Sequence, residues 1–144
     1  MGVRRAVDLA CTQAETCPGR VYTLGPLIHN PRALEELGRL GVRVMDEGRL
    51  SENCDVSVLI RAHGVSPQTE NRLRETGARV VDATCPRVKT SQLKAAAFAE
   101  AGYRLFLAGE KHHAEIAGIT GYAGTGFYAV IGNAAEAEAA AARR

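Results

Sequence analysis

Short apolar runs rich in β-branched residues alternate along the chain with stretches whose apolar positions recur at helical spacing. The runs are RVYTL (20–24), VRVM (42–45), VSVLIRA (56–62), ARVVDA (78–83), YRLFLA (103–108) and FYAVI (127–131). Helical patterning falls over 3–16, 31–40, 67–77, 88–101, 113–123 and 133–143. This alternation predicts an α/β fold with mostly parallel sheets. Runs such as VSVLI and RLFLA are apolar along nearly their whole length, which suits strands covered by helices on both faces.

The boundaries agree with that prediction. Asn30-Pro31, Ser66-Pro67 and Cys85-Pro86 each place a capping-type residue before a proline suited to the first helical turn. Gly25, Gly41, Gly77 and Gly102 punctuate strand and helix ends. The tail AAEAEAAAARR reads as a helix whose terminal arginines complement its dipole. The chain opens directly on the helical pattern GVRRAVDLACTQAE, so a strand is expected upstream of it, and the last helix leads to no further strand.

Composition narrows the class of partner. Apolar residues make up 46% of the 144 positions and charged residues 24%, as in an ordinary soluble domain, and a net charge of +2 argues against a nucleic-acid surface. No apolar run approaches the roughly 20 residues of a membrane span, and no basic segment leads into an apolar signal core, so a cytoplasmic location without membrane contact is expected. The four cysteines form no CxxC pair. Cys11 and Cys17 on or just after the first helix, and Cys54 in the turn SENCDVS, read as small structural or incidental residues, whereas Cys85 stands between a strand and a helix start.

Reactive side chains collect after strands. His29 follows the first run, His63 the third, Cys85 the fourth, and His112, His113 and Glu115 the fifth. In a parallel sheet these loops share the carboxyl edge, where ligands bind beside helix N-termini, so the groups are expected to converge on one cleft. No GxxxxGK(S/T) or GxGxxG motif is present, and the glycines of GYAGTGFYAV precede a strand instead of a helix. A mononuclear metal hydrolase built on His112, His113 and Glu115 is a further reading, although the spacing matches no zinc helix motif.

The pieces GVRRAVDLA (2–10), GPLIHNP (25–31), RAHGVSP (61–67), DATCPRV (82–88) and HHAEIAGITG (112–121) resemble, in order and spacing, the 4-hydroxy-3-methylbut-2-enyl diphosphate reductase family. The resemblance covers nearly the whole chain and identifies it with the N-terminal half of a longer member, part of a three-domain trefoil around a cleft. It implies residues 1–85 as a first α/β domain lacking its opening strand and residues 86–144 as an incomplete second one. It implies an iron-sulfur enzyme that removes the hydroxyl of an allylic diphosphate to give isopentenyl and dimethylallyl diphosphate, with ferredoxin or flavodoxin as electron donor. Cys85 is similar to one of three cysteines that hold a 4Fe-4S cluster, a setting where a helix N-terminus favours thiolate. His29, His63 and His113 are similar to the histidines around the substrate, and Glu115 to the acid that delivers a proton to the departing hydroxyl. The family's first cysteine, in GFCxGV, falls immediately before Met1, and its third lies beyond the matched part. The chain alone is therefore expected to be inactive. The competing expectation is a non-catalytic remnant or anion-binding module without a cluster.

Overall fold

The computed structural model describes residues 2–17, 20–46, 48 and 55–142; Cys54 lies outside them. Helices and strands alternate: α1 (Gly2–Thr16), β1 (Val21–Leu24), α2 (Pro31–Arg39), β2 (Val42–Met45), β3 (Ser57–Ile60), α3 (Pro67–Glu75), β4 (Arg79–Asp82), α4 (Pro86–Glu100), β5 (Leu105–Ala108), α5 (Ala114–Ala123), β6 (Tyr128–Ile131) and α6 (Ala134–Ala142). Every predicted strand and helix is present, with ends that differ by a few residues. Helix α4 begins at Pro86 and not at 88, because the proline itself occupies the first turn.

Strands β1 to β4 form one parallel sheet in the order β2-β1-β3-β4, and β5 pairs with β6, also in parallel. Side chains alternate between the two faces of the larger sheet. Val21, Val42, Leu59 and Val81 point to the face where α1 contributes Ala6, Ala10 and Ala14 and α2 contributes Leu37. Those alanines recur every four positions, so α1 presents a smooth stripe that lies close to the strands. Leu24, Val58, Ile60 and Val80 point to the opposite face, under Leu73 of α3 and Val65. With helices on both sides, all four residues of β3 are buried.

The β5–β6 pair departs from expectation. Leu105 and Leu107 pack toward Ala95 of α4 and Ile119 and Ala123 of α5, but Phe106 between them is 53% exposed. RLFLA is thus covered on one face only, because α4 and α5 share that face while α6 lies against β6 and buries none of its residues. Helix α5 is pressed tightly onto the start of α3. A β-carbon added at Gly121 would sit 2.5 Å from Ser66 Cβ, at the start of α3, so no larger residue fits there without moving backbone.

Candidate functional site

Three loops at the carboxyl edges of the strands build the site. After β1, Leu27 and Ile28 are buried and anchor the loop, leaving the next residue, His29, exposed at its tip. The Ala62 N–H donates to Leu27 O at 3.1 Å, tying this loop to the one after β3. There the chain turns at Gly64, whose φ of +72° is strained for any other residue, and an added β-carbon would lie 2.4 Å from Gln92 Nε2 and force that side chain to move. That turn presents His63, half-buried. After β5, His113 caps α5, its Nδ1 accepting the Glu115 N–H at 3.3 Å.

The three imidazoles meet. Ring centroids are 4.7 Å apart for His29 and His63, 5.5 Å for His63 and His113, and 6.4 Å for His29 and His113. One ring nitrogen from each lies within 4.8 Å of the others. Burial, followed by the neighbouring His29 and His113, pushes the pKa of His63 below the ordinary histidine value; Glu115 pulls the other way and does not prevail. His63 is therefore neutral at pH 7. Because Nδ1 of His113 is an acceptor, its neutral ring carries the proton on Nε2 and can donate from there.

Glu115 sits half-buried in the first turn of α5, beside His113 and within electrostatic reach of His63. Cys85 occupies the capping position of α4. Asn30 and Ser66 spend their side chains on caps, accepting from Ala33 N and Thr69 N, but the Cys85 thiol makes no such bond. Its N–H donates to Ala62 O at 2.9 Å, which places it one residue from His63 in the hydrogen-bonding pattern. The start of α1 closes on it from another side. A β-carbon at Gly2 would lie 2.5 Å from Cys85 Sγ, and Arg5 donates to Thr84 O and Asp82 O.

The predicted convergence thus holds for His29, His63 and His113, with Glu115 adjoining them. His112 goes elsewhere. It is exposed and lines a separate cleft of about 590 Å³ with Gly109, Glu110, Lys111, Gly132 and Glu136, so a metal held by His112, His113 and Glu115 has no support in the geometry. Cys11 and Cys17 pack partly buried against the first core, as small structural cysteines do. Hydrogen bonds from Ser57 and Thr16 lower the Cys17 pKa, but it lies at the amino edge of the sheet, away from the histidines.

One cluster escaped the sequence reading. Lys89, one turn into α4, donates to Tyr122 Oη of α5 at 2.9 Å and pairs with Asp82 at 3.3 Å and Glu70 at 3.5 Å. Burial disfavours its charge, yet Tyr122 and the two carboxylates outweigh burial and hold the ammonium above the ordinary lysine range. Burial also opposes ionisation of Asp82, and hydrogen bonds from Thr84 together with Lys89 overcome it, holding that carboxyl below the usual range. The partners stand 33 or more positions apart along the chain for the α5 contacts, a separation that no local pattern reveals.

A family model described as LytB protein matches residues 1–144. A 4-hydroxy-3-methylbut-2-enyl diphosphate reductase from Treponema pallidum is 44% identical over 142 residues, covering 87% of this chain and 38% of that protein. The enzyme of the same name from Treponema denticola is 44% identical over 143 residues, covering 94% and 48%. A solved structure of (E)-4-hydroxy-3-methyl-but-2-enyl diphosphate reductase, the terminal enzyme of the non-mevalonate pathway, superposes with a TM-score of 0.81 at 41% identity, covering 92% of this chain and 47% of that one. The chain spans less than half the length of these relatives.

Proposed function

The chain belongs to the LytB protein family, and on that premise we propose that it is part of a 4-hydroxy-3-methylbut-2-enyl diphosphate reductase, whose edge of histidines receives an allylic diphosphate. The observation that carries this reading is the meeting of three imidazoles from three separate loops. Neutral rings donate hydrogen bonds to phosphate oxygens, and protonated rings add charge to those bonds. Glu115, next to His113, delivers a proton to the departing hydroxyl.

The reductase reading calls for an iron-sulfur cluster, which Cys85 would help to hold and which would supply the electrons for removing the hydroxyl. Among the described residues Cys85 is the one thiol at this edge, since Cys11 and Cys17 pack elsewhere. A single thiolate does not fit a four-iron cluster, so further ligands must come from outside the described residues. The proposal treats residues 1–85 as one α/β domain and 86–144 as part of a second, in keeping with the two separate sheets. It includes a cytoplasmic setting, a trefoil context and ferredoxin or flavodoxin as donor.

Two measurements test it. Titration with inorganic diphosphate in metal-free buffer, followed by imidazole NMR shifts, should give saturable binding that His63→Ala weakens at least tenfold; binding indifferent to His63 and His29 would remove the histidines from the site. Anaerobic reconstitution of this chain with iron and sulfide should give no stoichiometric four-iron signal by EPR or Mössbauer spectroscopy, and a full cluster would overturn the claim that outside ligands are needed. Diphosphate binding alone, with no turnover when the relatives' remaining sequence is supplied, would favour an anion-binding module.

A further inference from the structure

The three imidazoles are also spaced as ligands of one ion. Around a tetrahedral zinc with Zn–N of about 2.0–2.1 Å, donor nitrogens lie about 3.3 Å apart, so the set of nitrogens within 4.8 Å of one another must close by no more than about 1.5 Å. Ring centroids in such a site lie about 5 Å apart, against 4.7, 5.5 and 6.4 Å here. The longest separation involves His29, which is exposed at a loop tip and has room to swing. His63 and His113 are held by the Gly64 turn and by the start of α5, so two of three ligands are already placed.

From this arrangement we propose that His29, His63 and His113 form a site for a divalent transition metal, Zn²⁺ or Co²⁺, with the fourth position open to solvent. An all-imidazole set selects such borderline ions over Mg²⁺ and Ca²⁺, which require oxygen ligands. The site uses the residues assigned above to the diphosphate, but neither claim depends on the other. Coordination has a local consequence at α5. With Nδ1 facing the Glu115 N–H, Nε2 is the free ligand atom of His113; binding through Nε2 moves the ring proton to Nδ1, which can then no longer accept from Glu115. Loading the metal therefore uncaps the first turn of α5.

The test is titration of the whole, EDTA-stripped and reduced chain with Co²⁺ at near-neutral pH, without diphosphate. One equivalent should bind with the visible absorption of four- or five-coordinate cobalt, and Zn²⁺ should displace it while Mg²⁺ does not. His29→Gln, at an exposed position that leaves the fold intact, should weaken binding at least tenfold, as should His113→Asn, which keeps a capping residue at α5. His112→Gln should leave it unchanged. Zn²⁺ should also shift the Glu115 amide resonance. No saturable cobalt binding, or binding that His29→Gln and His113→Asn leave unaltered, would overturn the proposal. Because diphosphate binding is measured in metal-free buffer, it stands or falls separately.

Discussion

In the β1–β4 sheet the central strand β3 is buried at all four positions, with α1 and α2 on one face and α3 on the other. In the β5–β6 pair, Leu105 and Leu107 are covered while Phe106 and Phe127 are 53% and 42% exposed and α6 buries nothing. Four strands provide a middle that helices can enclose from both sides; two strands provide only edges. The site spans both regions. His29 and His63 hang from the enclosed sheet, and His113 and Glu115 from the thinly covered one, so the cluster is only as well placed as the joint between them. That joint is the Gly121–Ser66 approach and the Lys89 network.

The largest expected effect lies in the enclosed sheet. Leu59 is fully buried between α1, α2 and the neighbouring strands, and Leu59→Ala should cost about 2–5 kcal/mol in urea denaturation through lost contact and a residual cavity. A loss under about 0.5 kcal/mol, the ordinary range for a surface change, would mean that β3 is not the centre of the core. Next comes the joint. Lys89→Met keeps the bulk of the side chain but takes the cation from half-buried Asp82 and leaves Glu70 with Arg74 alone, and should cost about 1–3 kcal/mol. The same variant leaves the Tyr122 hydroxyl only its longer bond to Glu70, so the His113 imidazole resonances should move although Lys89 does not belong to the histidine cluster. Unmoved resonances would show that α5 is held by packing at Gly118 and Gly121 alone.

Much of this was legible in the sequence, for local reasons. Alternating strand and helix patterns, with prolines after Asn30, Ser66 and Cys85, locate the helix starts because capping and the fixed proline φ act within a few residues. Convergence of His29, His63 and His113 was legible because parallel strands place all their following loops on one edge. What escaped depends on distant partners. RLFLA looks the same whether one face or two are covered, since the difference lies in how many strands and helices surround it. Lys89 reads as an ordinary surface lysine until Tyr122 and Glu70 arrive from α5 and α3, and Gly2 carries no sign that Cys85 will lie against it.

A smaller effect follows pH, and it tests the site where the two regions meet. His63 has its folded pKa pushed below the unfolded value of 6.5, so the unfolded chain takes up the proton more readily. Its contribution to stability is then full above pH 6.5 and is lost as pH falls through the window beneath. His63→Gln should flatten the stability profile there, leaving the Asp82 contribution, which is lost only below the unfolded value of 3.8, where it was. Bound diphosphate favours the protonated rings, so its affinity should fall as pH rises through the histidine range, with net proton uptake on binding by calorimetry. Affinity that rises with pH would mean that the rings are not the anion's partners.

The smallest effect on stability is expected at Phe106, and that makes it the sharpest check on the contrast. The ring belongs to an apolar run that on pattern alone matches β3, yet its side chain faces solvent between two inward leucines. Phe106→Ser should change the unfolding free energy by no more than about 0.5 kcal/mol, against the several expected for Leu59→Ala. An exposed aromatic also offers apolar area to other molecules, so the serine variant should associate less at high concentration by sedimentation velocity. If Phe106→Ser instead destabilises the chain as much as a core truncation, the outer face of β5 is covered in solution, and the two sheets differ in size but not in how their strands are buried.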